Sequence, residues 1–534
     1  MDIQFETSAE QLPQRCAPGI RFRYQGAPGL RSVALAGTFN CWVGDACQFK
    51  QVAPGRWECV LPIATGRHLY KIVVDGTHWI ADPANPWISE DGQNNSCLTV
   101  DERGDVLMRQ RGLDAGAAGP LYRSHQALAS PAWLREAAIY QLSVPAFGGD
   151  FDGVRARLDY LEQLGISVIW MMPIHPIGRQ GRRGTLGDPY AVLDFDAIDP
   201  ALGDEAALQA LVDAIHARGM RVVFDWTLNR SSADHPWTAA HPDWYTRDAD
   251  GQVYYAVPQR EYFAGFDFSK RALRSSLIAA MQRWVGRYGF DGLRFDDSDI
   301  TPTDFLAEIR TALAALRPDI ALISQSYDEF HHLHSCDLTY EGGTREMLRR
   351  VACGQADAHA FARYWKESTY SFPRGALRMR WLEDKEQPRA RKLLGAGAHR
   401  AAAALMLTMD GVPHILMGQE FDEPSWRDWT VLFERYRLDW SAFNPGMHSH
   451  YRALLALRRA HPALRQGATT FLEELPPGVI GMLRGSGADA ITVLANLSDQ
   501  LVTLAASPGP VLYADGWDQA HGKLAAHGCV IRAC

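Results

Sequence analysis

The chain has 534 residues, 47% of them hydrophobic and 22% charged, the make-up of a globular protein with a large core and about two to four domains. A net charge of −8 argues against a nucleic-acid surface, and no apolar run reaches the length of a membrane span. The first residues, Met1-Asp2-Ile3-Gln4, lack the basic region and apolar core of a secretory signal, and nine scattered cysteines lack CxxC spacing. They read as reduced thiols, so a cytoplasmic location is expected, with no nucleic-acid or membrane partner and no cofactor.

Residues 1–101 carry short alternating runs at 31–36, 56–61, 68–74 and 96–100, broken by Pro54-Gly55 and Asp75-Gly76. That spacing predicts a small antiparallel β-sandwich. Residues 102–130 are polar and rich in Gly and Ala, as a linker would be. From 131 to 446 the pattern becomes strand then helix, repeatedly. Strands are expected at 138–142, 168–171, 221–224, 292–295, 321–324, 376–381 and 414–417, and helices at 153–164, 206–218, 273–288 and 304–316. Such alternation predicts a (β/α)8 TIM barrel, a fold of about 250 residues before insertions. Residues 447–534 begin with a helix at 450–459 and continue as short strands, a C-terminal β-sandwich. The fold class is therefore multidomain.

Chemistry in such a barrel sits just after its strands. Asp225, Asn229 and Arg230 follow one strand, and Asp296 another, with Arg294 two residues before it and on the same face. Gln325 follows the run Ala321–Ser324, and Glu383-Asp384-Lys385-Glu386 follow 376–381. One acid at a strand end is usually a cap or an ion pair; charged groups after four strands of one barrel make a pocket.

These positions resemble the α-amylase superfamily (glycoside hydrolase family 13), and the likeness covers most of residues 136–450. Landmarks are Met172 to Pro176, Gly187-Asp188-Pro189-Tyr190, Asp337 to Tyr340 and Gly411 to Glu420. The family's first motif, D-x-x-x-N-H, is met by Asp225 and Asn229, but Arg230 replaces the histidine. The second, G-x-R-x-D, is intact as Gly292, Arg294 and Asp296. The third should supply a glutamate and has Gln325, and the fourth, N-H-D, has become Asp384-Lys385-Glu386. The resemblance implies Asp296 as nucleophile position, Arg294 as the charge that keeps it ionised, Gln325 at the acid position and Glu386 at the stabiliser position. It implies Tyr190, Asp225, Arg230 and Lys385 as contacts to sugar.

A retaining glycosidase needs two carboxyl groups about 5–5.5 Å apart, one to attack and one to protonate the leaving oxygen. An amide has no proton to transfer near neutral pH, and losing a general acid costs roughly 10²–10⁴ in rate. Three readings of the pocket stand side by side. In one, the added charges form a satisfied ion-pair network that fills the sugar site. In another, Glu386 or Asp328 takes over as acid in a working α-glycosidase or transglycosylase. In the third, the cations suit an anionic sugar such as a phosphorylated one.

Residues 30–101 resemble glycogen-binding modules (carbohydrate-binding module family 48) through the stretches 33–42, 68–76, 79–83 and Asn94-Asn95. That likeness implies Trp42 and Trp79 as stacking platforms and Lys71 and Asn94 as hydroxyl contacts; the alternative is a domain that only braces the barrel. The expected partner is an α-glucan or maltooligosaccharide. His175 reads as structural, and His331, His332 and His334 lack a metal-ligand frame. No metal is predicted, with calcium left open, and Arg179, Arg182 and Arg183 read as a solvated basic loop.

Overall fold

The computed structural model describes residues 12–64, 66–85, 95–100, 104–107, 125–248, 250–253, 255, 260–472, 474–505 and 509–534. Period-two alternation builds the N-terminal layers. Gly19–Gln25 and Arg56–Leu61 lie at the centre of a four-stranded antiparallel sheet, and Val33–Gly37, Gly66–Val74 and Ser96–Val100 form most of a five-stranded one. Val33, Leu35, Tyr70 and Ile72 point inward against Ile20, Phe22 and Trp57. Their neighbours Ala34, Ala36, Leu69 and Val73 point the other way and pack with Trp42 against Ile300 of the barrel. Both faces of this sheet are therefore covered, one of them by the next domain.

Eight parallel strands close the barrel in chain order: β1 Ile139–Leu142, β2 Val168–Met171, β3 Arg221–Thr227, β4 Gly292–Asp296, β5 Ala321–Ser324, β6 Leu338–Glu341, β7 Leu377–Trp381 and β8 Val412–Leu416. Alternate residues fill its interior (Ile139, Trp170, Val223, Ile323, Tyr340, Met379) or face the helices (Tyr140, Ile169, Phe224, Leu293, Leu322). Gly292 occupies an interior position where a side chain would not fit: a Cβ would lie 2.6 Å from the Ala321 carbonyl oxygen. The helices follow the same logic. Glu205–Ala217 buries Leu208, Leu211, Val212 and Ile215 at helical spacing, and Asp204 caps it by accepting the Ala207 N–H.

The C-terminal segment forms a six-stranded antiparallel sheet in which the long strand Lys523–Ala533 pairs with three others. One face packs on helix Ala396–Thr408, and the sheet curls over a second small core containing Val479, Leu494, Leu524 and Val530.

Three local expectations change. The helix expected at 153–164 is two, Phe151–Arg155 and Leu158–Leu164, broken at Arg157, whose guanidinium lies over the Trp440 ring. Part of the expected linker is pinned to the barrel, since the Ala127 and Leu128 N–H groups donate to the Arg374 and His332 carbonyls. A two-stranded ribbon, Arg230–Ser232 with Phe263–Gly265, rises after β3, where no strands were expected. Among the described residues no helix is long and apolar enough to cross a membrane, and all nine cysteines are free.

Candidate active site

The C-terminal ends of β3, β4, β5 and β7 bring the altered positions together. Arg294, inside β4, is completely buried, and its guanidinium donates to Asp225 (2.8 Å), Asp296 (2.6 Å) and the Tyr340 hydroxyl (2.9 Å). Its plane lies over the Trp170 ring. Asp225 also accepts the Tyr190 hydroxyl and the Trp170 indole N–H, at 2.9 and 3.1 Å. Tyr190, Asp225, Arg294 and Asp296 thus form one hydrogen-bonded floor.

Two further cations close over this floor. Arg230 lies in the ribbon after β3 and reaches back so that Nη2 meets Asp296 Oδ2 (2.5 Å) and Nη1 meets Asp297 Oδ2 (2.7 Å). It is held from above by the faces of Phe263 and Tyr255. Lys385, from the loop after β7, places Nζ 3.1 Å from Asp296 Oδ1, 2.9 Å from Glu386 Oε1 and 4.4 Å from the centre of the Tyr190 ring. Both oxygens of Asp296 are occupied by cations, and only 4% of Lys385 is exposed. The pocket floor is covered by its own side chains.

Gln325 acts as a strut in this cover. Its Nε2 donates to Glu386 Oε1 (2.8 Å), and its Oε1 accepts the Asp297 N–H (3.1 Å). Asp297 follows the nucleophile position in a left-handed backbone conformation (φ 46°), which turns its carboxylate toward Arg230. Sequence reasoning passed over Asp297, as it did Trp170, Tyr255 and Phe263. The signal present for Asp297 was a second acid directly after a strand-end aspartate.

The charges sort as this geometry requires. Burial would raise the Asp296 carboxyl, but Lys385, Arg294 and Arg230 outweigh it and hold it far below the usual range. Burial raises Asp225, with Arg294 opposing. Burial and the Glu386 charge push Asp384 up to about 6. Glu386 goes the other way: its crowded position raises it, but Lys385 and the Gln325 amide bring it below its ordinary value. A group placed to donate a proton near neutrality has a raised value, and Glu386 does not.

The remaining expected residues lie elsewhere. Asp328 is not among the contacts of Asp296; it caps a turn by accepting the Phe330 N–H and lines a cavity at the domain junction. His175 is packed among Phe195, Phe224, Trp226 and Trp284, and burial lowers it to about 4. His331 and His332 contact Ser324 and Thr339, and no metal-holding group occurs among the described residues. Arg182 donates to the Ile177 and Gly178 carbonyls, and Arg183 lies 3.7 Å from Glu261 on the surface. In the N-terminal domain Trp42 is only 8% exposed, while Lys71 and Trp79 are partly exposed. Asn94 lies outside the described residues.

A closed eight-stranded barrel with these strand-end residues can be set beside known proteins. A family profile described as alpha amylase, catalytic domain, matches residues 123–265. The barrel is similar to those of the α-amylase superfamily. An alpha-amylase MalA of Haloarcula japonica is 27% identical over 77% of this chain and 62% of its own length. An α-1,4-glucan:maltose-1-phosphate maltosyltransferase of Cereibacter sphaeroides is 27% identical over 65% of this chain and 62% of its own. The chain thus spans about three fifths of those relatives. The crystal structure of a maltogenic α-amylase AmyB from Thermotoga neapolitana superposes with a TM-score of 0.66 at 26% identity, covering 75% of this chain and all of that one. The matched profile includes Tyr190, Asp225 and Arg230 of the amylase-type barrel; Asp296, Gln325, Lys385 and Glu386 lie beyond its end.

Proposed function

We propose that this protein is an α-glucan-binding member of glucan metabolism whose amylase-type pocket is closed by its own ion pairs, so that glycoside hydrolysis is lost or reduced. One observation carries the reading: Lys385 Nζ lies between the Tyr190 ring and Asp296, 4.4 Å from one and 3.1 Å from the other. In a retaining site that gap belongs to the sugar ring, which stacks on the aromatic group and meets the nucleophile. Three cations on Asp296 also strip it of basicity, and the amide at 325 offers no proton. The N-terminal domain has two roles in this reading. Trp42 braces the barrel, and the partly exposed Trp79 and Lys71 are the glucan contacts.

The active reading, a retaining α-glycosidase or transglycosylase with Asp296 as nucleophile, draws on the intact Arg294–Asp296 pair and on Asp384, which holds its proton up to about pH 6. The anionic-sugar reading draws on the maltose-1-phosphate relative. Against it, Arg230, Arg294 and Lys385 are each already engaged by carboxylates.

Incubation of concentrated protein with glycogen and maltoheptaose tests the proposal. The expected result is retardation on a glycogen affinity gel without new reducing ends or altered chain lengths. Turnover in that assay, or a glycosyl group trapped on Asp296 from an activated glycosyl fluoride, would overturn it, because the fluoride needs no leaving-group protonation.

A further inference from the structure

A second concave site lies between the domains, and none of Tyr190, Asp296, Gln325, Lys385 or Glu386 lines it. This cavity of about 750 Å³ is bounded on one side by the loop after Val33–Gly37 and on the other by the loops that follow β3, β4 and β5. Its volume falls within the roughly 300–1,000 Å³ of small-molecule sites. We propose that this junction cavity binds a neutral, hydroxyl-rich ligand, a short oligosaccharide, and is a working saccharide site in place of the closed strand-end pocket. The inference rests on the glucan-binding reading above and adds a second saccharide site to the Trp79 and Lys71 contacts.

The wall carries charges of both signs, Arg247, Lys270 and Arg274 beside Asp243, Asp267, Asp299, Asp304 and Asp328, and its carboxylates disfavour an anion. Asp267 faces Lys270 at 3.6 Å, and Arg274 donates to Asp304 at 2.8 Å. An ion entering at either pair would have to displace a partner already present, at the cost of leaving that partner's charge unpaired. A hydroxyl group escapes this choice, since it donates to a carboxylate and accepts from an ammonium at once. Hydroxyls are also what a saccharide presents at its edges, while its ring faces are apolar. Phe39, Val43 and Pro62 on the N-terminal wall supply apolar surface for those faces.

The wall is held in shape by backbone that is sterically unfavourable. Cys41 and Trp42 are consecutive non-glycine residues in the left-handed region, with φ of 54° and 61°. This double turn sends Trp42 into the barrel contact with Ile300 and leaves Phe39, Asn40 and Cys41 as cavity wall. Strain of this kind persists where the surroundings over-determine it, and here both domains do so. Because both domains build the walls, the site exists only in the docked protein, and the docking that buries Trp42 creates it.

The test uses maltoheptaose titrated into the full chain by calorimetry, with two variants at the cavity wall. Ser269 is exposed and Lys270 partly so, and both precede helix Arg271–Tyr288. Ser269→Trp places a large ring in the cavity and is expected to weaken binding at least tenfold; Lys270→Ala, which removes a donor, is expected to weaken it several-fold. Leu501→Ala, at an exposed position of the C-terminal segment, is expected to leave this binding unchanged. If both wall variants bind as the parent does and Trp79→Ala abolishes binding, the junction site is wrong and glucan binding by the module stands. If the unaltered protein binds no maltoheptaose at millimolar concentration, the glucan-binding reading falls and this inference falls with it.

Discussion

Lys385→Met removes one cation from Asp296 while nearly preserving volume, so it separates charge from packing. At 3.1 Å and an effective dielectric of about 20, the Lys385–Asp296 attraction is worth about 5 kcal/mol. Burying the ammonium costs several kcal/mol in its turn, and methionine does not carry that cost. Asp296 keeps Arg294 at 2.6 Å and Arg230 at 2.5 Å, so no buried carboxylate is left unpaired. Glu386, with a side chain 40% exposed, is hydrated when its lysine goes and contributes little. The net loss is therefore expected below about 2 kcal/mol. Arg294→Met is the contrast, because Arg294 joins Asp225 and Asp296, both buried, and breaking such a set costs about 3–5 kcal/mol. Both variants are compared by denaturant unfolding, following the buried barrel tryptophans Trp170 and Trp381, at equal slope with denaturant. A Lys385→Met loss as large as that of Arg294→Met would refute the reasoning, since it would mean that the two arginines do not hold Asp296 by themselves.

Glu420 accepts hydrogen bonds from Tyr140 and Tyr160 in a fully buried site, and burial raises it from 4.5 to about 7. A raised acid favours the fold while protonated, so stability is full below about pH 4.5, falls as pH rises from there to about 7, by up to about 3 kcal/mol, and levels off above; Glu420→Gln should flatten that slope in melting curves taken from pH 4.5 to 8. Trp42→Ala should destabilise the domain junction by about 3 kcal/mol or more, seen as earlier proteolysis between the domains. Trp79→Ala should leave stability nearly unchanged and weaken retention on a glycogen gel.

The parts that were legible in the sequence share a physical basis. Strand alternation at 31–36 and 68–74 and the apolar runs ahead of Asp296 and Gln325 report side-chain direction, which is local. The rule that barrel chemistry follows the strands then brings Asp225, Asp296, Gln325 and Lys385 to one place, and in the structure they share one network. What the sequence concealed depends on docking and on single backbone conformations. Trp42 looks like a platform until the barrel's Ile300 is placed beside it. Asp297 enters the network only through its left-handed turn, and Asp328, three residues after Gln325, turns into the junction. The ribbon that delivers Arg230 has three-residue strands, too short for any alternation to show.

The intact Arg294–Asp296 pair is the observation that most invites a catalytic reading, and its surroundings supply a different reason for keeping it. An open glycosidase pocket leaves its carboxylates to water and sugar hydroxyls. Once the pocket closes, Asp225 and Asp296 lie at 0% and 2% exposure and need cations supplied from within. Arg294 serves both, and Arg230 and Lys385 add the charge that solvent would have balanced. Returning Arg230 to a neutral histidine would take the cation from Asp297 and from one oxygen of Asp296. The substitutions at 230, 325, 385 and 386 therefore belong to one network. Restoring a glutamate at 325 alone would set a new carboxylate beside Glu386, which already accepts the amide N–H there, and would leave Lys385 in the place of the sugar.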